Sequence, residues 1–187
     1  MSTPPTVKPG RYQRSAGGMV GAMVVLLVAV GAFVAFRALT RDQPEVRPEP
    51  VDHLQAVRLL QSAGRTVVYP DELPAGWITT RADVGPAGDE WWSLTMLTDE
   101  GLFAGIRQED AELETLVETY VDEDAVEGET VGVENALATR WRQFSDDGAD
   151  TAFAAEVGGD WVLVYGSASA GDLLRIVESL ADETVAD

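Results

Sequence analysis

The chain has 187 residues, one histidine, no cysteine and a formal net charge of −19 at pH 7. The missing cysteines exclude disulfides, catalytic thiols and lipid attachment through cysteine, and a single histidine excludes a multi-histidine metal site. All 32 acidic residues follow residue 37. A surface of that charge repels phosphate backbones, which excludes nucleic acid as a partner.

Two short segments precede the acidic region. Residues 1–15 are polar and rich in proline, glycine and arginine, so we expect a disordered basic tail. Residues 16–36 contain no charged side chain, and as a helix they would be about 30 Å long, the thickness of a bilayer's hydrocarbon core. We predict an uncleaved transmembrane helix. A cleaved signal peptide or a buried core helix are the alternatives, although a signal peptide's apolar core is usually only about 7–15 residues long.

The flanks of this segment bear on its orientation. Lysine and arginine are equally frequent on its two sides: Lys8, Arg11 and Arg14 precede it, and Arg37, Arg41 and Arg47 follow it. Loop charge therefore does not decide the orientation. The short, purely basic tail favours a cytoplasmic N-terminus, with the C-terminal domain outside the membrane. Residues 37–50 contain three prolines near their end and predict a stiff stalk.

Residues 51–183 predict one folded domain. Apolar spacing indicates helices over residues 51–63 and 110–121, the latter capped by Asp110, and a last helix opened by a capping box from Ser169 to Asp172. Strands are predicted over residues 66–69, 77–84, 91–98, 102–108, 137–144, 151–157 and 161–166, with a short one over 130–133 after an acidic loop at 122–129. Hairpin-length turns join them. The fold class is therefore α+β, with a largely antiparallel sheet packed by about three helices.

A resemblance to a known family follows from these points. The chain resembles actinobacterial single-pass membrane proteins of the domain-of-unknown-function family 4245. The resemblance rests on the segment Leu73-Pro-Ala-Gly-Trp77, on its spacing to Trp91 and Trp92, and on Tyr165-Gly-Ser-Ala before the final helix. By element order alone the domain is also similar to the antiparallel α/β/α sandwich of some envelope lipoproteins. The family resemblance implies location and architecture but no chemistry.

Residues capable of catalysis or metal binding form no recognised motif. His53 has no Gly-x-Ser-x-Gly partner and is expected to be a structural helix residue. Asp89 and Glu90 beside the tryptophan pair offer the one arrangement that favours a carboxylate pair. Two acidic clusters offer oxygen ligands for calcium without the EF-hand spacing: Asp122, Glu123, Asp124 and Glu127, and then Asp146, Asp147 and Asp150. We predict no catalytic residue, metal or cofactor.

The five tryptophans, Trp77, Trp91, Trp92, Trp141 and Trp161, are more informative. Neighbouring strand residues point to opposite faces, so Trp91 and Trp92 cannot both enter one core. If one face of the sheet is open, the outward tryptophan is a binding anchor. Arg140 and Arg142 flank Trp141 and either form a small basic stripe or pair with neighbouring acids. We take Trp91, Trp92, Arg140 and Arg142 as the candidate interaction residues.

The function expected from the sequence is a membrane-anchored, extracytoplasmic domain without enzymatic activity. Its partners would be the bilayer, through the span, and a protein of the cell envelope. The alternatives are a carrier for a small apolar ligand or lipid and, less favoured, an envelope hydrolase that uses a carboxylate pair.

Overall fold

A computed structural model describes residues 16–39, 48–86, 90–148 and 150–185. The chain divides into two compact units, Met1–Arg47 and Pro48–Asp187. The predicted disordered tail, most of the predicted stalk and Asp89 lie outside the described residues.

The first unit contains one helix, α1, Ala16–Leu39. Its side chains are described for residues 19–33, 36 and 37. Among these, Leu26, Leu27 and Phe33 expose 62–63% of their surface. Within the described parts of the chain, no helix combines the length and the apolar character needed to cross a membrane. The predicted helix therefore forms, but its prediction as a membrane span is not supported by the described residues.

The second unit contains the remaining elements. They are α2 His53–Ser62, β1 Tyr69–Pro70, β2 Ile78–Val84, β3 Trp91–Leu97, β4 Phe103–Glu109, α3 Leu113–Tyr120, β5 Val126–Gly132, β6 Arg140–Ser145, β7 Thr151–Val157, β8 Asp160–Gly166, α4 Ala170–Glu178 and β9 Leu180–Ala181. Seven strands form one sheet in the order β2-β3-β4-β8-β7-β6-β5, and every pairing is antiparallel. Strands β1 and β9 pair separately. The α+β prediction with an antiparallel sheet is confirmed.

Helix starts follow the sequence at one predicted cap and depart from it at the other. Ser169 accepts a hydrogen bond from the backbone N–H of Asp172 at 3.1 Å, so the predicted N-cap of α4 is confirmed. The Asp172 carboxylate accepts from the Ser169 hydroxyl rather than from its backbone N–H, so the second bond of a capping box is replaced by a bond between side chains. The predicted cap at Asp110 is wrong. Helix α3 begins at Leu113 after Glu112, whose side chain makes no capping bond. The residues between β4 and α3 instead form the turn that carries the chain from the sheet to the helix.

Two strand predictions need correction. The strand expected over residues 66–69 contracts to the two-residue β1, because the rest of that segment is held by side chains rather than by a neighbouring strand. The acidic loop at 122–129 and the short strand at 130–133 are replaced by a turn and one continuous strand, β5. Six of the seven β5 residues are exposed. An exposed edge strand has no apolar alternation, so pattern reading misses it.

The two faces of the large sheet are covered unequally. The closed face packs against α2 and α4, and its core includes Trp92, Ile106, Trp141, Phe153, Val164, Leu173 and Ile176. On the opposite, open face, α3 packs over β6, β7 and β8 through Leu116, Val117 and Leu163. The open-face side chains of β3, such as Ser93, Thr95 and Leu97, stay half-buried. This uncovered part of the sheet is where a surface site can form.

Candidate interaction surface

Five side chains form a continuous row of contacts on the open face, which we call the aromatic row. It begins with Trp91, whose ring centre lies 3.8 Å from the guanidinium carbon of Arg107. The same carbon lies 5.0 Å from the ring centre of Tyr120. The Tyr120 and Tyr165 ring centres are 5.5 Å apart, and Tyr165 meets Phe103 edge-on, also at 5.5 Å. The row runs from β3 to α3 and back to β4.

Arg107 holds this row together. Its residue surface is 6% exposed, and its Nε and Nη2 atoms both donate to Oε2 of Glu109, at 2.8 and 2.7 Å. An arginine keeps its charge in proteins, so its burial requires both the carboxylate and the two rings. A cation over an aromatic ring contributes about 0.5–2 kcal/mol. The stack therefore fixes the orientation of the half-buried Trp91.

The two tyrosines of the row are neutral at physiological pH. The pKa of Tyr165 is raised to about 12, chiefly by burial and also by the nearby Tyr120, while the Arg107 cation opposes the shift. Burial likewise raises the pKa of Tyr120 above its ordinary value. The Arg107–Glu109 pair is thus the charged part of the row. Aromatic rings with a small polar component are the composition of protein contact surfaces.

Gly105 allows the row to lie close to the sheet. It sits on β4 opposite Tyr165 of β8. A Cβ at this position would come within 2.8 Å of the Tyr165 ring and 3.0 Å of the Phe103 ring. Because Gly105 has no side chain, the Tyr165 ring can approach the strand. In that position the ring contacts both Tyr120 and Phe103.

The structure separates the two predicted tryptophan anchors. Trp91 lies half-buried on the open face, and Trp92 lies on the closed face with 1% of its surface exposed. The Trp92 Nε1 donates to the carbonyl oxygen of Val68 at 2.9 Å. The prediction that the pair points to opposite faces is confirmed. As a surface anchor Trp92 is wrong, because its side chain is buried in the core of the closed face.

Arg140 and Arg142 lie on β6, away from Trp91. Arg142 donates from Nε and Nη2 to the two carboxylate oxygens of Glu127, at 2.7 and 2.8 Å. This hydrogen bonding lowers the pKa of Glu127 and raises that of Arg142. Three strands lie between β3 and β6, and at about 4.8 Å per strand the separation is about 19 Å. The two arginines are therefore too far from Trp91 to join the aromatic row. Arg142 is paired with Glu127, and Arg140 is exposed.

Sequence reasoning missed four members of the row: Arg107, Tyr120, Tyr165 and Phe103. A signal for the first was present in the β3–β4 hairpin. Its short loop, with Gly101 at φ 79°, fixes the register, in which Ser93 pairs with Arg107 and Trp91 pairs with Glu109. Arg107 is therefore diagonal to Trp91 on one face. The contribution of Tyr120 depends on where α3 docks, which local spacing does not determine.

Of the other candidate residues, His53 has a structural role. The two ring nitrogens of His53 lie 3.0 Å from the Pro70 carbonyl oxygen and 3.3 Å from the Thr79 hydroxyl, which ties α2 to β1 and β2. Glu90 is exposed. Among the residues that the structure describes, no group of three or more acids and histidines could hold a metal ion.

Three surface pockets are lined largely by acidic side chains. One of about 280 Å³ includes Asp99, Glu100, Asp172 and Arg175 in its lining. Another of about 180 Å³, between α3 and β6, is lined by five carboxylates and Arg142, besides apolar residues. A third, shallow one of about 370 Å³ carries Asp71, Glu72, Glu178 and Glu183. Ligand sites for small molecules are about 300–1,000 Å³ and mostly apolar. The third pocket reaches that size, but the acids that line these pockets do not favour a carrier for an apolar ligand.

The chain is similar to one protein family and, more weakly, to a solved structure. A chain from the complex structure of Pseudomonas aeruginosa MucA/MucB aligns with a TM-score of 0.35 and 16% sequence identity, over 65% of this chain and 37% of that chain. The present chain thus spans little more than a third of that protein's length. No curated protein sequence matches it. The profile of the family described as "Protein of unknown function (DUF4245)" matches residues 11–180, so the chain belongs to the DUF4245 family.

Proposed function

We propose that residues 48–185 form a non-enzymatic binding module that contacts a protein of the cell envelope through the aromatic row. The observation that carries this proposal is the position of Trp91, whose half-buried ring stacks on the buried guanidinium of Arg107. Tryptophan, tyrosine and arginine are the residues that most often dominate the energy of protein contacts. Here all three occur in one contiguous row.

The arrangement is favourable for binding because it is formed in advance. Trp91 and Tyr120 flank one guanidinium, and Glu109 fixes that guanidinium through two hydrogen bonds. Side chains that are already ordered lose little conformational entropy when a partner docks. The uncovered strands β2 and β3 beside the row supply further area for contact.

The proposed location is the cell membrane. Residues 16–36 anchor the chain in the bilayer, the N-terminus is cytoplasmic, and residues 37–50 hold the domain on the extracytoplasmic side. Support comes from the uncharged apolar run in the sequence. The test is fractionation followed by protease treatment of intact cells stripped of outer barriers. Recovery in the membrane pellet with a digested domain is expected, whereas a soluble chain or a protected domain would contradict the location.

The binding function is tested by site-specific photocrosslinking in living cells. A crosslinking amino acid replaces Ser93, which lies on the open face opposite Arg107, or, as the matched control, Leu59, which is 67% exposed on α2. One protein is expected to crosslink from position 93 and not from position 59. Adding Trp91→Ala should abolish that product. Equal products at both positions, or insensitivity to Trp91→Ala, would contradict the proposal.

A further inference from the structure

Strand β5 leaves one edge of the sheet open. It is the last strand in the order and pairs only with β6 among the described strands. Six of its seven residues are exposed, and Val126 exposes 67% of its surface. An open edge presents unpaired backbone N–H and C=O groups to any extended chain. Natural proteins shield such edges with charges, with bulges or with a covering segment. Strand β5 carries Glu127, Glu129 and a register irregularity between Glu127 and Thr130, but no described segment pairs with its outer side, so the edge is open to a strand of opposite charge.

The opposite edge of the sheet is treated differently. At β2, the carbonyl oxygen of Thr79 accepts a hydrogen bond from the N–H of Val51 at 2.8 Å. The chain that leads into α2 therefore covers part of that edge. No described residue makes the equivalent backbone bond to β5 on its outer side. Among the described residues, the β5 edge of the sheet thus lacks the backbone hydrogen bond that partly covers the β2 edge.

A groove beside β5 indicates the chemistry of the incoming strand. It lies between α3 and β6 and has a volume of about 180 Å³. Its inner wall includes Val117 and Phe144, which are 6% and 7% exposed. Its rim carries five carboxylates, those of Glu114, Glu118, Asp122, Glu123 and Glu127. The wall suits the methylene stem of a long side chain, and the rim suits its positive end.

The rim keeps its negative charge. Among the described residues Arg142 is the cation that lines the groove, and Glu127 engages it through two hydrogen bonds. Glu114 interacts with the same arginine at longer range. Within the described part of the chain, no ion pair involves Glu118 or Glu123, so an arriving lysine or arginine would meet these two acids without displacing a bound cation.

We propose that β5 accepts an extended basic segment of another protein as an eighth strand of the sheet, with a lysine or arginine side chain in the groove. Backbone hydrogen bonds supply the affinity, and alternate side chains supply the selectivity. In β5, Glu127 and Thr130 lie on the groove side, and Val126 and Val131 lie on the other. The matching segment therefore alternates basic with aliphatic residues.

A second copy of this chain does not fit the edge. In an antiparallel pair of two copies centred on Gly128, Glu127 of one copy would face Glu129 of the other, and like charges that lie opposite one another destabilise a sheet. The net charge of −19 adds to this repulsion. This inference does not rest on the aromatic row, because no residue of that row lines the edge or the groove.

The test uses the full chain in detergent micelles and a capped seven-residue peptide in which lysine alternates with valine. Hydrogen exchange followed by mass spectrometry locates the binding, and titration calorimetry gives its affinity. Slower exchange confined to residues 126–132 and their β6 neighbours is expected. A peptide of the same charge with proline at its centre should not bind, because proline cannot complete the strand pairing.

Variants separate strand addition from simple charge attraction. Val126→Lys places a like charge on the edge and should weaken peptide binding roughly fivefold. The matched control is Val84→Lys on β2, a position 46% exposed on the other edge strand, which should leave the affinity unchanged. Combining Glu118→Gln with Glu123→Gln should reduce the salt dependence of binding. Trp91→Ala should have no effect, which separates this test from that of the proposed function.

Four outcomes would overturn the inference. They are no binding of the lysine–valine peptide, equal binding of the proline-containing peptide, equal loss from Val84→Lys and Val126→Lys, and a dimer that forms through the β5 edge in the absence of peptide. The last would replace the basic partner with a second copy of the chain.

Discussion

The β3–β4 hairpin uses its two faces in different ways. On the closed face, Trp92 and Gln108 bond to the backbone of the segment that follows α2, and they are 1% and 5% exposed. On the open face, their sequence neighbours Trp91 and Arg107 bond to side chains instead, in a stack that ends at the surface. Adjacent residues on each strand thus have different roles: one side chain stabilises the fold, and its neighbour lies on the open face.

The difference lies in what each face leaves unsatisfied. Gln108 accepts from the N–H of Val68 at 2.7 Å and donates to the Thr66 carbonyl and to Asp160, at 3.2 and 2.8 Å. These bonds replace the strand pairing that residues 66–68 lack. The open-face stack satisfies Arg107 internally and keeps one side of Trp91 available. Changes on the closed face should therefore act on stability, and changes on the open face should act on binding.

The largest effect is expected from Trp92→Ala. It removes a fully enclosed ring and its bond to the Val68 carbonyl, and such truncations cost about 3–5 kcal/mol. Urea unfolding of the full chain measures this change. Trp92→Phe, which keeps a ring but loses the bond, should cost clearly less. A loss under about 1 kcal/mol for Trp92→Ala would show that the closed face is not the one that holds the fold.

The next effect is expected from Gln108→Leu. The apolar side chain leaves the buried Val68 N–H without its acceptor and removes a donor from Asp160. An unsatisfied buried group costs about 1–3 kcal/mol, so a loss near about 2 kcal/mol is expected. Gln143→Leu, at a half-buried position on the same face, is the control and should change the free energy of unfolding by less than about 0.5 kcal/mol.

The sequence predicts the regular elements of the closed face well. Alternating burial of β3 and the apolar stripe of α4 follow from local spacing, and both are confirmed. The segment at 66–69 was assigned to a longer strand because valine and tyrosine favour strands. Its actual support comes from Trp92 and Gln108, which are more than twenty residues away. Contacts of that separation are outside the reach of local patterns.

Alkaline pH is expected to produce a third effect, on the open face. The pKa of Tyr165 is 10.0 in its ordinary environment and about 12 in the folded chain, so the phenol loses its proton more easily after unfolding. The stability it contributes is complete below pH 10 and is lost as the pH rises toward about 12. The two-unit shift corresponds to about 3 kcal/mol.

Unfolding in urea at a series of pH values measures this effect, and the absorbance of tyrosinate reports the ionisation. Tyr165→Phe is the control, and its free energy of unfolding should fall less steeply over the same range. Tyr120 also has a raised pKa, so a smaller slope is expected to remain. An identical slope in the variant would show that Tyr165 is not the buried phenol.

The candidate site was harder to predict than the fold. Two adjacent tryptophans on a strand must point to opposite faces, which is a purely local argument, but it does not tell which of Trp91 and Trp92 lies on the open face. Arg142 was selected for its charge, yet Glu127 on β5 neutralises it. The sequence predicts an acidic loop at 122–129, where Glu127 lies, and a strand only over 130–133, whereas β5 begins at Val126. A basic residue in an acidic domain is therefore a weak signal until the register of the neighbouring strand is known.

The smallest effect on stability is expected from Trp91→Ala, and it is the sharpest test of the comparison. Arg107 keeps Glu109 and Tyr120 as partners, so the loss is that of one cation–ring contact and a half-exposed side chain, about 1 kcal/mol. The same variant should abolish crosslinking from position 93. If Trp91→Ala destabilises the chain as much as Trp92→Ala, the ring belongs to the core and the division between the two faces is wrong. If it changes neither the free energy of unfolding nor the crosslinking, the open face does not bind a partner through the aromatic row.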